Sequence, residues 1–169
     1  MMHLNFHEEQ KISQWWVWML VMIGIVLGWW GFFQQIVIGQ PYGINPGPDW
    51  MVVLVWLLTG IGLPLFILSV KLVVTVSADS VEIYFRPFTR RVIPLEQIAR
   101  FKARTYSPLG EYGGWGLRGL GNNRAYNISG NCGVELVLKD GRIVLIGSRR
   151  AEELASAIET AYKTWSEGN

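Results

Sequence analysis

The chain has 169 residues, of which half are hydrophobic, 17% are charged and nine are Trp. This length accommodates one ordinary domain and a small further part, and the apolar share is high for a soluble protein of average composition. Because of this high apolar share, we expect the apolar residues to be concentrated in one part of the chain. The formal net charge is only +2, and we predict neither a nucleic-acid partner nor a nucleotide.

Two stretches near the N-terminus carry no charged residue, one between Lys11 and Asp49 and the other between Asp49 and Lys71. About 20 mostly apolar residues are enough for a helix to cross the hydrocarbon of a bilayer. We therefore predict two transmembrane helices, at about residues 15–38 and 50–70. Several Trp residues lie near the ends of the first helix, where indole rings favour the membrane interface.

These helices divide the chain into three parts. Residues 1–14 form a cytoplasmic N-terminal segment, residues 15–70 a two-helix transmembrane hairpin, and residues 71–169 a cytoplasmic domain. A cleaved signal peptide is the alternative explanation of an apolar N-terminus. However, the preceding "HEEQK" is not basic, and the apolar run is much longer than the core of a signal peptide.

Basic residues predict the orientation of the hairpin, because Lys and Arg are retained on the cytoplasmic side. The connecting segment "GQPYGINPGPDW" has none, whereas Lys11 precedes the first helix and Lys71 follows the second. We expect a multi-pass protein of the plasma (inner) membrane with both termini in the cytoplasm. The single cysteine, Cys132, then lies in a reducing compartment.

The first membrane helix carries a face of small residues. Gly24, Gly28 and Gly31 recur at helical spacing, and such a face lets another helix approach closely. The second helix of the hairpin is the simplest partner for this candidate helix-packing face. A second copy of the chain is the alternative.

After Lys71 the sequence changes to short stretches in which apolar and polar residues alternate. Examples are "KLVVTVS", "SVEIYFR", "RRVIPL", "IARFKARTY", "GVELVLK" and "RIVLIGS", and this period of two predicts strands. Asp140-Gly141, between the last two stretches, predicts a hairpin with a type I′ turn, in which both residues have positive φ.

The last segment changes to a helical period. Leu154, Ile158 and Ala161 lie on one apolar stripe, which predicts an amphipathic helix, and Ser148 is its candidate N-cap. About six or seven strands followed by one such helix indicate a mainly-β (α+β) soluble domain. We expect an antiparallel barrel or sandwich with a C-terminal capping helix.

Several local patterns follow one another in a recognisable order. Two N-terminal membrane helices lead into a run of strands that includes "IPLEQIARFKA" and the hairpin "VELVLKDGRIVLIG", and "RRAEELASAIETAY" closes the chain. In this order of elements the chain resembles the bacterial pleckstrin-homology-like (PH-like) membrane proteins. The resemblance implies a PH-like fold tethered to the membrane. That family is mostly uncharacterised, so it supplies no catalytic residues.

The stretch "GWGLRG", residues 114–119, has the glycine spacing of a dinucleotide-binding turn. Such a turn opens a helix, and an acidic residue follows it about 20 residues on. Here another Gly, two Asn and a β-like "RAYNIS" follow, and position 139 is a Lys. We therefore predict no nucleotide and no other cofactor.

The glycine-rich stretch that contains this motif is nevertheless the candidate interaction loop. Long loops in compact domains are uncommon and often functional, and this one holds residue types favoured at contact surfaces. They are Tyr106, Glu111, Tyr112, Trp115 and Arg118. The alternative is a purely structural loop with a short strand, in which glycine permits unusual backbone conformations.

Arg86, Arg90 and Arg91 surround the turn in "RPFTRR". Guanidinium groups bind phosphate through forked hydrogen bonds, so these three residues are candidate contacts for anionic lipid. In many PH-like domains the loop between the first strands carries such basic residues. General attraction of a basic loop to an anionic leaflet is the alternative to specific recognition of a headgroup.

Groups suited to catalysis are scarce. Residues 71–169 contain no His, and no acid and base pair is evident. His3 and His7 alone are too few for a zinc site, and we predict no metal. We expect a non-enzymatic, membrane-tethered module for protein interaction or assembly, whose partners are membrane lipids and either another protein or further copies of the chain. The alternatives are a sensor of anionic lipid headgroups and an enzyme acting on a lipid or envelope component.

Overall fold

The computed structural model of the chain describes residues 5–119 and 123–167. The chain divides into two compact units. Residues 12–69 form the first, which we call the hairpin unit, and residues 1–11 together with 70–169 form the second, the β unit. The hairpin unit is therefore an insertion within the sequence of the β unit.

The hairpin unit contains two helices, α1 (Trp15–Val37) and α2 (Asp49–Ser69), each long and apolar enough to cross a membrane. Both lie within one residue of the predicted helix bounds. Of the most apolar stretch of each helix, only 17% and 6% of the residues are buried. Most of the apolar side chains of α1 and α2 therefore face outward, whereas a helix in the core of a soluble protein is mostly buried.

Both helices widen locally to π-helical turns, α1 at Phe33–Val37 and α2 at Trp56–Gly62. The sequence explains the turn in α2. Pro64 has no amide hydrogen to donate to the carbonyl of Gly60, and its ring crowds that carbonyl. A wider turn accommodates the proline within a continuous helix.

The β unit begins with a sheet of four antiparallel strands, paired in chain order. We call it sheet A, and its strands are β1 (Phe6–Lys11), β2 (Lys71–Val76), β3 (Ser80–Arg86) and β4 (Thr89–Pro94). Strand β1 pairs with β2 from Phe6 opposite Val76 to Lys11 opposite Lys71. The hairpin unit is thus the connection between two neighbouring strands.

Strand β1 lies in the N-terminal segment, residues 1–14, for which the sequence predicts no strand. Its buried side chains are Phe6, Glu8 and Gln10. Because two of these three inward positions are polar, the sequence shows no apolar alternation there.

The two buried polar side chains of β1 find partners near the C-terminus. Gln10 Nε2 donates a hydrogen bond to the carbonyl oxygen of Gly147 at 2.8 Å. The Glu8 carboxylate accepts hydrogen bonds from Ser148 Oγ and from the amide of Arg149. These hydrogen bonds offset the cost of burying the Glu8 carboxylate and the Gln10 amide nitrogen.

The second sheet, sheet B, has five described strands in the order β5-β8-β9-β7-β6. They are β5 (Ile98–Thr105), β6 (Gly116–Arg118), β7 (Asn123–Asn127), β8 (Cys132–Leu138) and β9 (Ile143–Gly147). The pairing of β7 with β9 is parallel, which corrects the expectation of a purely antiparallel sheet. Its cause is that β9 reverses direction after β8 and inserts between β8 and β7, so that β7 and β9 run the same way.

The hairpin between β8 and β9 is confirmed, but its predicted type I′ turn is wrong. Gly141 has φ +84°, whereas the described residues include no non-glycine residue with positive φ, and so Asp140 does not have one. The Gly141 amide donates to the carbonyl of Leu138. The loop is therefore a three-residue connection in which a single glycine supplies the left-handed position.

Helix α4 (Ala151–Glu167) closes the chain and buries the predicted stripe of Leu154, Ile158 and Ala161. The predicted N-cap, Ser148, is wrong. The amide of Leu154 bonds to the carbonyl of Arg150, so the helix is capped at Arg150, two residues after Ser148. The Ser148 hydroxyl instead accepts a hydrogen bond from the Arg150 amide at 3.0 Å. The β unit is thus an α+β structure of two mostly antiparallel sheets with a C-terminal helix.

Candidate interaction site

The predicted interaction loop contains a short helix, α3 (Pro108–Tyr112), which the sequence analysis does not predict. Ser107 is its N-cap, and the Ser107 hydroxyl accepts a hydrogen bond from the Gly110 amide at 3.1 Å. In return, Glu111 Oε1 accepts a hydrogen bond from the Ser107 amide at 2.8 Å. This reciprocal pair satisfies two backbone donors that a helix start leaves unpaired.

The C-terminal end of α3 is closed in the same way. Gly113 has φ +69°, its amide bonds to the carbonyl of Leu109, and the Gly114 amide bonds to the carbonyl of Pro108. The bond from Gly113 to Leu109 is that of the αL motif, in which glycine takes the left-handed position, and the Gly114 bond satisfies one more carbonyl of the helix. A helix of five residues is marginal on its own, so the caps account for its formation here.

Arg104 on β5 connects α3 to sheet B. Its Nη2 lies 2.8 Å from Glu111 Oε2 and its Nε lies 2.8 Å from Glu135 Oε2 on β8. Nη2 also donates to the Tyr112 hydroxyl at 3.3 Å. The hydrogen bond from the Ser107 amide and, to a smaller extent, the one from Arg104 lower the pKa of Glu111. Glu111 is thus held as a carboxylate that braces the loop.

Two tyrosines pack beneath this ion-paired group. Tyr106 is 4% exposed and packs with Ala125 and Leu145, and Tyr112 lies against that cluster. The two tyrosine rings meet edge to face with centroids 6.0 Å apart. Burial raises the pKa of both hydroxyls. Tyr106 is therefore a core residue that supports the loop, and it does not present its ring to a partner.

Trp115 and Arg118 lie after α3. Trp115 is half-buried, and its Nε1 donates to the carbonyl of Gly130 at 3.0 Å. Arg118 is exposed, and its Nε donates to the carbonyl of Trp115 at 3.0 Å. Within the described ranges, Arg118 forms no ion pair with an acidic residue.

These elements border an open groove of about 770 Å³ on the β unit. Its polar lining residues are Arg104, Glu111, Arg118, Asn123 and Glu135. Its apolar and aromatic lining residues include Tyr112, Leu117 and Ile143. The groove brings together Glu111, Tyr112 and Arg118 of the predicted loop, whereas Tyr106 and Trp115 do not line it.

Arg104 and Glu135 are the charged groove residues that the sequence analysis missed. Both lie on strands that it predicted, but β5 and β8 are distant in sequence. Their register, with Lys102 opposite Glu135 and Arg104 opposite Gly133, puts Arg104 and Glu135 on the same face of sheet B. Only knowledge of that pairing would have revealed the ion pair.

The glycine motif at residues 114–119 serves the loop geometry. Gly114, Gly116 and Gly119 all have positive φ, and β6 lies inside the motif. At Gly119 an added Cβ would lie only 2.1 Å from the backbone oxygen of Asn123, so a side chain does not fit. The next described element is the strand β7, so among the described residues no helix begins directly after this stretch to bind a phosphate at its N-terminus.

The three arginines predicted to contact lipid do not all lie on one face of sheet A. Arg90 forms an ion pair with Glu82, and Arg86 stacks on the ring of Tyr84 at 4.6 Å. Arg91 lies directly opposite Ile83, whose side chain is buried. Directly opposite residues share a face of an antiparallel sheet. Arg91 therefore lies on the face of Ile83, whereas Arg86 and Arg90 lie on the face of Tyr84.

The predicted glycine face of α1 packs within the hairpin unit. A Cβ at Gly28 would lie 2.6 Å from Thr59 Oγ1 of α2, and one at Gly31 would lie 3.1 Å from the Tyr42 ring. A Cβ at Gly24 has its nearest neighbours, in Leu63 and Thr59, at 3.9 Å. The second helix is therefore one partner of this face.

The two histidines do not share a helix. His7 lies on β1, where its Nδ1 is 3.2 Å from Thr75 Oγ1, and His3 lies outside the described residues. In residues 5–119 and 123–167, no group of three or more His, Cys, Asp or Glu residues is arranged to hold a metal ion.

No curated protein and no solved structure matches the chain. One family model, described as a family of unknown function (DUF6141), matches residues 2–165. This range includes both apolar helices, both sheets and most of α4. The chain therefore belongs to the family of unknown function DUF6141.

Proposed function

We propose that this chain is a non-enzymatic, membrane-tethered module whose β unit, of PH-like type, binds a protein partner at the cytoplasmic face of the plasma membrane. The hairpin unit would be the anchor, and the groove on sheet B would be the binding surface. The partner segment would present an acidic side chain beside an apolar one.

The outward-facing side chains of α1 and α2 support the membrane anchor. Trp15, Leu20, Trp30 and Leu65 are each more than half exposed, and a soluble monomer rarely exposes so large an apolar surface. The absence of charged residues within α1 also fits a spanning helix. The basic residues that flank the hairpin favour cytoplasmic termini.

The element order supports the PH-like assignment. Two mostly antiparallel sheets precede a helix that buries its apolar stripe. The parallel pairing of β7 with β9 departs from the antiparallel pattern that the resemblance implies. PH-like describes the plan of the β unit and carries no ligand with it.

The observation that carries the proposed function is the unequal use of two arginines in the groove. Arg104 is occupied by Glu111 and Glu135, whereas Arg118 bonds to a backbone carbonyl and is exposed. Beside Arg118, Leu117 is 42% exposed. Both residues line the groove, and an exposed cation and an apolar side chain in one groove suit a protein segment with a carboxylate and an apolar anchor.

The same residues argue against catalysis. Because hydrogen bonds lower the pKa of Glu111, its carboxylate is a weak proton acceptor near neutral pH. Burial raises the pKa of Tyr106 and Tyr112, which keeps both phenols protonated. Tyr106 does not line the groove, so its hydroxyl is not available to a substrate bound there.

Photo-crosslinking in native membranes tests the proposal. The full chain would carry p-benzoylphenylalanine at Leu117 and, as a matched control, at Val92, which is 51% exposed on β4 of the other sheet. We expect a discrete adduct from position 117 that R118E abolishes and R90E leaves intact. An adduct of twice the monomer mass would identify the partner as a second copy.

Equal adducts from both positions, no adduct from position 117, or an adduct insensitive to R118E would each contradict the proposed groove. Carbonate extraction of the same membranes tests the anchor. Release of the chain into the soluble fraction would contradict the membrane-tethered reading.

A further inference from the structure

We infer that one end of sheet A forms a basic rim that lies on anionic phospholipid headgroups beside the membrane hairpin. The rim consists of Lys11, Lys71 and Arg86, with Phe88 as an apolar contact. This inference rests on the proposed membrane insertion, and it replaces the predicted cluster of Arg86, Arg90 and Arg91 with a different set.

Strand register creates the rim. Lys11 lies opposite Lys71, and Lys71 lies opposite Arg86. Three successive strands therefore place a basic residue at the same level and on the same face of sheet A. Neighbouring strands are about 4.8 Å apart, so the three cations form a short, continuous row.

The row carries an excess of positive charge. Both lysines approach one carboxylate, that of Glu9, at 3.5 Å from Lys11 and 3.0 Å from Lys71. Arg86 stacks on the Tyr84 ring and has no acidic partner within the described part of the chain. The row thus contains three cations and one anion, Glu9, which of these three contacts only the two lysines, and the surplus of positive charge suits a negatively charged surface.

Two residues of the row, Lys11 and Lys71, are close in sequence to the helices of the hairpin unit. Only Val70 separates Lys71 from Ser69, the last residue of α2, and residues 12–14 separate Lys11 from Trp15, the first residue of α1. An extended chain spans at most about 3.5 Å per residue. Lys71 therefore lies within about 7 Å of the end of α2, whatever the orientation of the β unit.

Phe88 lies at the same end of the sheet. The turn that joins β3 to β4 follows Arg86 directly, and the Phe88 amide closes it by bonding to the carbonyl of Phe85. Phe88 is 56% exposed. An aromatic ring beside Lys and Arg is the combination that inserts shallowly at a membrane interface.

The opposite end of the same strands provides an internal contrast. The turn between β2 and β3 carries Ala78 and Asp79, both exposed, and no basic residue. Strand β3 separates the two turns by seven residues, or about 23 Å. Sheet A is therefore electrically polar along its strands, with its basic end towards the hairpin connections.

A nitrile probe tests whether the rim contacts lipid. The full chain would carry p-cyanophenylalanine at position 88, which retains the aromatic ring, or at position 78 as the control. Each protein would be reconstituted in vesicles of phosphatidylcholine alone and of an equal mixture with phosphatidylglycerol. The infrared frequency of the nitrile reports its hydrogen bonding to water.

We expect the nitrile at position 88 to lose its water-bonded frequency in the anionic vesicles and to keep it in phosphatidylcholine. The nitrile at position 78 should remain hydrated in both. The double variant K11Q/R86Q should restore hydration at position 88 in anionic vesicles, because it removes charge without altering β1–β2 pairing or the Lys71–Glu9 contact.

A hydrated nitrile at position 88 in anionic vesicles would overturn the inference. Equal dehydration in both lipids, or dehydration that survives K11Q/R86Q, would overturn the anionic recognition. Flotation of the vesicles after carbonate treatment separates this failure from failure of the proposed function. If the protein floats with the vesicles and its nitrile at position 88 stays hydrated, the protein is anchored but the rim does not contact lipid. If the protein does not float with the vesicles, it is not anchored.

Discussion

The hydroxyl of Ser148 donates a hydrogen bond to the buried carboxylate of Glu8, across 140 positions of sequence. The Arg149 amide donates to the other oxygen of the same carboxylate at 3.0 Å. Glu8 thus joins the first strand of the β unit to the segment that leads into α4. The carboxylate is a fastening point between the two ends of the chain.

Replacement of Glu8 should loosen this fastening. Glu8→Ala leaves the Ser148 hydroxyl and the Arg149 amide without their acceptor in a buried setting, at an expected cost of about 2 kcal/mol in the free energy of unfolding. Urea unfolding of the full chain in mild detergent measures the loss. Hydrogen exchange of the peptide that contains β1 locates it.

Glu9→Ala is the matched control, because Glu9 is the next residue on β1 and faces solvent. We expect a much smaller effect from Glu9→Ala than from Glu8→Ala. Equal unfolding curves for the two variants would show that the buried hydrogen bonds contribute nothing particular.

Two glycines of α1 should respond differently to a methyl group. Gly28→Ala places a Cβ 2.6 Å from Thr59 Oγ1 and 3.4 Å from the Gly60 amide nitrogen, and the resulting overpacking should cost about 1–2 kcal/mol. Gly24→Ala meets its neighbours at an ordinary 3.9 Å and should be neutral or stabilising, since Ala favours helix over Gly.

Unfolding of the full chain by titration with sodium dodecyl sulfate measures both glycine variants. The contact between Trp29 and Trp56, whose ring centroids are 5.2 Å apart, provides a fluorescence signal from the hairpin unit. If Gly24→Ala proved the more disruptive of the two, the helix packing described here would be wrong.

The brace around α3 should depend on pH. Hydrogen bonds from Ser107 and Arg104 lower the pKa of Glu111, so the folded state binds its proton less readily than the unfolded chain. The stabilisation is complete above the pKa of an unfolded Glu, about 4.3, and is lost as the pH falls through the lower pKa of the folded state.

Hydrogen exchange of residues 106–113, corrected for the intrinsic effect of pH, measures this dependence between pH 6 and pH 3. Protection should fall towards the acid end in the natural chain. Glu111→Gln should show weaker protection without the acid step. A step that persists in Glu111→Gln would assign it to another group.

Arg104 should act on partner binding by maintaining the shape of the groove. Arg104→Ala separates Glu111 from Glu135 and should cost about 0.5–1 kcal/mol, a small value because the ion pairs are partly exposed to solvent. It should also weaken the adduct formed from position 117. A lysine at position 104 cannot reach both carboxylates with a planar fork. The stability and the adduct yield of Arg104→Lys should therefore lie between those of the natural chain and those of Arg104→Ala.

Protection of the α3 amides and the yield of the photo-adduct, measured on the same samples, test this role. A lower adduct yield with unchanged protection of α3 would mean that Arg104 contacts the partner directly. Unchanged values of both would remove Arg104 from the site.

The sequence predicts the elements whose side chains follow a clear period. The long apolar helices, the alternating "SVEIYFR" of β3 and the stripe of Leu154, Ile158 and Ala161 all appear where expected. In each case a local pattern of burial determines the structure, and that pattern is visible in the sequence.

The remaining elements depend on contacts that a local pattern does not contain. Strand β1 buries Glu8 and Gln10, whose partners lie at Ser148 and Gly147. Helix α3 is too short to show a period and depends on its caps. The groove needs the register of β5 with β8, which brings Arg104 to Glu135. Such long-range relationships become visible only in three dimensions.

The insertion of residues 12–69 between β1 and β2 has a consequence for biosynthesis. Strand β1 is translated before residues 12–69, whereas its hydrogen-bond partners at Gly147–Arg149 are translated after them. In the proposed membrane-spanning arrangement, both helices would enter the bilayer before β1 acquires its partners at Gly147–Arg149. Completion of the β unit would then depend on correct insertion, because misplaced helices would prevent β1 from pairing with β2.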